Sequence, residues 1–232
     1  MAMARYLAMT AAEMMGGAPL PGKTAWMACH FSPYSTGLCN LPAALPPGSL
    51  LILNDRTPIH GHDPERICRE LTEALAGLQC AGLLLDFQNP PCREAALLVE
   101  YLDQKLKFPM GASPDYAAGT AAVFIPPVPT DTPIAAYLER WRGKKLWLEL
   151  ALEGQTITLT ESGAAYGINP FPADTPAMAD GALHCHYSIE EKQDAVVFRT
   201  WRTREDLSAL ILDAERLGVA LSVGLYQELR PV

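Results

Sequence analysis

The sequence predicts a single α/β domain folded as a small (β/α)8-type barrel with some helices shortened or missing, on three observations. Residues 49–54 (SLLILN) and 81–87 (AGLLLDF) are continuous apolar runs, the pattern of strands buried on both faces. Between them lies a complete helix signal. Asp63-Pro64-Glu65 supplies an N-cap, a first-turn proline and an acidic first turn, and Ile67, Leu71, Ala74, Leu75 and Leu78 recur at helical spacing. Strands and helices then alternate to the end of the chain, and eight or so strands in one uninterrupted stretch of 232 residues fit a closed barrel better than an open sheet.

The elements follow in order. Residues 1–17 read as a short helix ended by Gly16 and Gly17, so residues 1–22 form an N-terminal helix or extension to one domain spanning 1–232. Residues 24–31 (TAWMACHF) give the first strand, and residues 33–48 a proline-rich loop. After the strand at 81–87, residues 92–107 form a second amphipathic helix with Ala96, Val99 and Leu102 on one stripe. Strands are expected at 108–112 and 121–125, a helix at 133–141, and a strand at 145–152. Residues 155–160 alternate like the hairpin partner of that strand, turned at Glu153-Gly154. Strands near 183–187 and 195–201, a helix over 204–217 closed by Gly218, and a last strand over 220–226 complete the order. The last strand should close the barrel against residues 24–31.

Composition excludes several function classes. Hydrophobic residues make up 49% of the chain and charged ones 19%, which argues against disorder. A net charge of −8 and the absence of any basic block exclude a nucleic-acid partner. No apolar run approaches the roughly 18 residues of a membrane span, and no clean signal cleavage site follows the N-terminal stretch. The six cysteines form no C-x-x-C pair, and several lie in apolar runs, so a reduced, cytoplasmic setting is expected. No P-loop, G-x-G-x-x-G or G-x-S-x-G motif is present, and no cofactor is expected.

One stretch says more than its periodicity. Residues 50–88 run as a buried strand, a loop, Asp-Pro-Glu opening a helix, and then Gly82-Leu83-Leu84-Leu85-Asp86-Phe87-Gln88. This resembles the third and fourth strands of the family 18 glycoside hydrolases, the chitinase-like barrels. There a Ser-x-Gly-Gly strand precedes a helix beginning near Asp-Pro, and a strand of pattern Asp-x-x-Asp-x-Asp-x-Glu carries catalysis. Residues 194–229 are similar to that family's closing strand–helix–strand unit, and residues 133–154 to its sixth-to-seventh crossover.

On the catalytic pattern this chain has Ala81, Leu84, Asp86 and Gln88, so only Asp86 is kept. Leu51-Ile52-Leu53-Asn54 replaces Ser-x-Gly-Gly, the family's sixth-strand Met-x-Tyr-Asp falls near Ile125-Pro126-Pro127, and its last-strand Trp falls near Tyr226. Strand geometry puts Leu84, Asp86 and Gln88 on one side, with Asp86 and Gln88 at the mouth of the barrel. The resemblance implies that the sugar's own acetamide attacks while the strand-end Glu protonates the leaving oxygen. A glutamine cannot give that proton, whereas its amide can still hydrogen-bond a hydroxyl or an acetamide. The reading is therefore a chitinase-like pseudoenzyme that binds a glycan through Asp86, Gln88, Asn54 and Tyr226, or serves as a scaffold.

A second site competes. His60-Gly61-His62 and His184-Cys185-His186 are H-x-H pairs, and two imidazoles at i and i+2 on a strand can chelate one metal. The alternative function is thus a metal-dependent hydrolase using His60, His62, His184 and His186, with Asp63 or Asp86 as a further ligand. The third is an unliganded interaction domain. Among the aromatic residues, Trp26, Tyr34, Trp201 and Tyr226 could stack on sugars, while Trp141 and Trp147 should pack between helix and sheet.

Overall fold

The computed structural model describes residues 3–18, 23–117, 119–152, 154–168 and 177–229. In chain order the elements are β1 (Ala4–Met9), α1 (Ala11–Met15), β2 (Thr24–Phe31), β3 (Leu38–Cys39), β4 (Leu50–Asn54), α2 (Pro64–Gly77), β5 (Gly82–Asp86), α3 (Arg93–Lys105), β6 (Met110–Ala112), β7 (Ala122–Ile125), α4 (Ile134–Glu139) and β8 (Leu146–Leu150). Then come β9 (Gly154–Thr160), β10 (Gly163–Ile168), β11 (Met178–Asp180), β12 (Cys185–Lys192), β13 (Ala195–Trp201), α5 (Arg204–Arg216), β14 (Leu221–Leu225) and α6 (Tyr226–Leu229).

Eight strands (β1, β2, β4, β5, β6, β7, β8 and β14) pair in parallel around a closed ring, since β1 joins both β14 and β2. The expected barrel is present. Its closure differs from the expectation in one strand: β14 meets β1, and β1 lies between it and β2. Residues 4–9 (ARYLAM) are rich in helix-forming Ala, Leu and Met, and only the segment just before Gly16 is helical. Tertiary pairing overrides propensity here, because Tyr6 and Ala8 point into the barrel interior. With β1 counted, β4 and β5 become the third and fourth barrel strands, and β7 the sixth.

Side-chain alternation builds two layers of core. Leu50, Ile52, Leu84, Phe124 and Trp147 fill the barrel interior. Leu51, Leu53, Leu83 and Leu85 face outward and meet Ile67, Leu71, Leu75, Leu98 and Leu102 of α2 and α3. On the other side α4 and α5 cover β7 and β8. Trp147 thus lies inside the ring rather than under a helix as expected, whereas Trp141 does pack with the outer cluster. The indole occupies the space a Cβ on Gly111 would need, which explains a glycine in the middle of β6.

Residues 154–201 depart most from expectation. They form a separate antiparallel sheet in the order β10-β9-β13-β12-β11, inserted between the seventh and eighth barrel strands. Residues 155–160 pair with β10 and β13 and not with β8. Glu153, half of the expected turn, lies outside the described residues. Residues 195–201, expected in the closing unit, belong to this sheet too, while α5 and β14 of that unit sit as expected.

Three groups lock the sheet to the barrel. Arg202 is 1% exposed, and its guanidinium donates to the carbonyls of Val128, Pro129, Leu183 and His184. His184 Nε2 lies 2.9 Å from Asp213 Oδ2, and His186 Nδ1 lies 2.7 Å from Asp206 Oδ2, both carboxylates belonging to α5.

Candidate functional site

A cavity of about 790 Å³ opens at the C-terminal ends of the first four barrel strands. Thr10 reaches it from the end of β1, Met27, Ala28 and His30 from β2, Asn54 and Asp55 from β4, and Asp86 and Gln88 from β5. These are the strand ends on which barrel folds build their sites. The sequence-predicted residues Asn54, Asp86 and Gln88 meet here. Tyr226 does not: it is 6% exposed, opens α6, and lies outside the cavity lining.

Each side chain has a local reason for its position. The β2–β4 register shifts between Trp26 and Cys29, a bulge that turns Met27 and Ala28 toward the cavity. Asn54 holds that bulge, its Nδ2 donating to the Met27 carbonyl at 3.0 Å while its Oδ1 accepts from Arg56 N at 3.1 Å. Asp55 is buried, and its carboxylate accepts from the backbone amides of Gln88 (2.9 Å) and Asn89 (3.0 Å). It therefore fixes the chain that carries Gln88 past the end of β5. Gln88 Nε2 in turn donates to both Asp86 oxygens at 3.3 Å.

Burial pushes the Asp86 carboxyl above its ordinary value; the Gln88 amide opposes that rise and the nearby Asp55 carboxylate adds to it. Two carboxylates in one cleft, one braced by backbone amides and the other by a side-chain amide, make a strongly hydrogen-bond-accepting floor.

Beside Asn54, its partner in the β2–β4 register, His30 Nδ1 lies 2.8 Å from the Phe31 carbonyl and 3.2 Å from Cys39 Sγ, and Asn40 Nδ2 lies 3.0 Å from Nε2. Burial raises the Cys39 thiol above its ordinary value, so this contact does not make a thiolate nucleophile. Thr10, His30, Asn40, Asp55, Arg56 and Asn89 are the polar lining residues that sequence reasoning passed over. Thr10 and Asp55 directly follow β1 and β4, so the polar residue just past a strand is the signal available for them.

The structure does not bring the two H-x-H pairs together as one cluster. His184 precedes β12 with φ +49°, so it does not share a strand face with His186, and each imidazole is held by a different α5 carboxylate. His60 is exposed in its loop, while the His62 ring packs tilted against Phe31, with ring centroids 5.1 Å apart. Among the described residues no three His, Cys, Asp or Glu side chains converge as a metal site. All six cysteines are free.

No family model and no curated protein matches the sequence. Solved structures do match its fold. The chitinase-like agglutinin of Robinia pseudoacacia superposes with a TM-score of 0.63 at 11% identity, covering 94% of this chain and 93% of that one. A GH18 chitinase from Cycas revoluta, solved as a mutant with (GlcNAc)4, gives 0.58 at 12% identity, covering 95% and 94%. The Bacillus cereus spore cortex-lytic enzyme SleL gives 0.62 at 8% identity, covering 96% of this chain and 70% of that one. The chain has the fold of the family 18 chitinase-like barrels.

Proposed function

We propose that the protein binds a glycan containing N-acetylglucosamine at the barrel mouth and does not hydrolyse it. One observation carries this reading. In the sequence resemblance Gln88 falls where the family's pattern has its acid catalyst, and it lies on the rim of the cavity with its amide on the Asp86 carboxylate. A primary amide has no proton to give to a leaving oxygen, so general-acid catalysis is missing while hydrogen-bonding capacity remains. Asp86, Asn54 and Gln88 offer acceptors and donors matched to sugar hydroxyls and acetamides. The fold neighbours include both a (GlcNAc)4-bound chitinase structure and an agglutinin, and the agglutinin is the better precedent for a barrel whose acid is absent.

A glycan array probed with wild-type protein and with Asp86→Ala tests this directly. Signal on N-acetylglucosamine oligomers that falls at least tenfold in Asp86→Ala is expected. An array blank for wild type, or equal for both proteins, would refute the mouth as a sugar site.

A further inference from the structure

We infer that the inserted sheet pairs with a second copy of the chain through its β10 edge, making one continuous ten-stranded sheet across a two-fold axis. The two edges of the sheet differ. β11 is only three residues long and ends in Asp180, whose carboxylate is committed to the amides of Ala182 and Leu183. β10, by contrast, is six residues long (GAAYGI), fully exposed, and carries no charge and no proline. Natural proteins protect open edges with charges, prolines or bulges, and this one has none of them.

The register of the sheet supplies an independent observation. Tyr166 stands opposite Ile157, Ile157 opposite Phe198, and Phe198 opposite Ile189, so one row of apolar side chains crosses four strands on a single face. Ala164 and Ile168 lie on the same face of β10, as do Leu159 and Val196. The row is least covered at the β10 end: Tyr166 is 70% exposed and Ile168 92%. An open backbone ladder and an open apolar face therefore coincide at one edge.

The edge fits itself. Antiparallel pairing about a two-fold axis normal to the sheet keeps both apolar faces on the same side. Setting Tyr166 opposite Tyr166 of the second copy then places each Ile168 opposite the partner copy's Ala164, a large side chain over a small one. The chain carries a net charge of −8, so copies repel over most surfaces, but this strand brings no like charges together. A contact of six residues a side is small for a specific interface, so the dimer should be weak and strongly concentration-dependent.

The test is light scattering on the eluting full chain across concentrations from about 1 to several hundred µM, repeated with Tyr166→Lys and with Ala164→Pro, since the β9–β10 register turns the N–H of Ala164 to the open side. Wild type should shift from monomer to dimer and both variants should remain monomeric. Both side chains are exposed and neither substitution removes a hydrogen bond to β9, so these variants should keep the wild-type circular dichroism. In a Cys92→Ser background, Tyr166→Cys should cross-link to itself on mild oxidation, because directly opposed residues lie within disulfide reach. A chain that stays monomeric throughout, or a dimer that survives Ala164→Pro, would overturn the proposal.

Discussion

Asp86 is a carboxylate that the fold raises in pKa through burial, and this has a consequence for stability. A group whose folded pKa exceeds its unfolded value favours the protonated form in the native state. Its stabilising contribution is complete below the unfolded pKa and is lost as the pH rises through the folded one. Asp86→Asn mimics the protonated group, so the variant should melt above wild type at neutral pH, by about 1–4 °C, with the difference closing toward about pH 3. Thermal melts at the two pH values check this. Gly111 offers a second residue-scale test. A methyl group there meets the Trp147 ring inside the barrel, so Gly111→Ala should cost about 1–3 kcal/mol in urea denaturation. At this scale the sequence reveals Asp86, Gln88 and Asn54, because a polar residue ending an apolar strand stands out. Tyr226 follows the last strand in the same way, yet it turns into α6 and is buried. Nothing in the residue pattern records that turn.

The elements of the barrel and those of the inserted sheet differ in pattern, and the difference is present in the sequence. β4 and β5 are apolar at every position but their last, as a strand between helices and barrel interior must be. β9 alternates Thr156, Ile157, Thr158, Leu159, Thr160, the pattern of a sheet with one wetter face. Counting both kinds as barrel strands, while missing β1, gave about the right number for the wrong reason. What no local pattern shows is the clasp between sheet and barrel. Arg202→Met leaves four backbone carbonyls without their shared donor, so it should cost about 3–5 kcal/mol in chemical denaturation. The His–Asp pairs add a pH dependence to the same clasp. The His184 hydrogen bond, outweighing the effect of burial, holds the Asp213 carboxyl below its ordinary value. Burial raises the Asp206 carboxyl, but the Thr203 and His186 hydrogen bonds more than compensate and hold it low. A carboxylate with a depressed folded pKa stabilises above its unfolded pKa, and that stability is lost as the pH falls through the folded value. Acid destabilisation should therefore weaken in an Asp206→Asn, Asp213→Asn double variant, measured as a flatter fall of the melting temperature below about pH 4.

For the whole molecule, a barrel closed by eight parallel strands places its cavity over the first four, and the proposed role of that cavity is to bind without hydrolysis. Incubation with N-acetylglucosamine oligomers should release no shorter products by mass spectrometry. Gln88→Glu should not yield a vigorous enzyme, because Ala81, Leu84 and the Ile125-Pro126-Pro127 stretch leave the rest of the family's acidic and tyrosine groups unreplaced. The most direct measurement is a calorimetric titration of tetra-N-acetylchitotetraose into wild type and Asp86→Ala, with the sugar recovered and analysed afterwards. Saturable binding to wild type, at least tenfold weaker binding to the variant and intact sugar at the end are expected. Cleaved sugar, or heats indistinguishable between the two proteins, would contradict a non-hydrolytic glycan site at the barrel mouth.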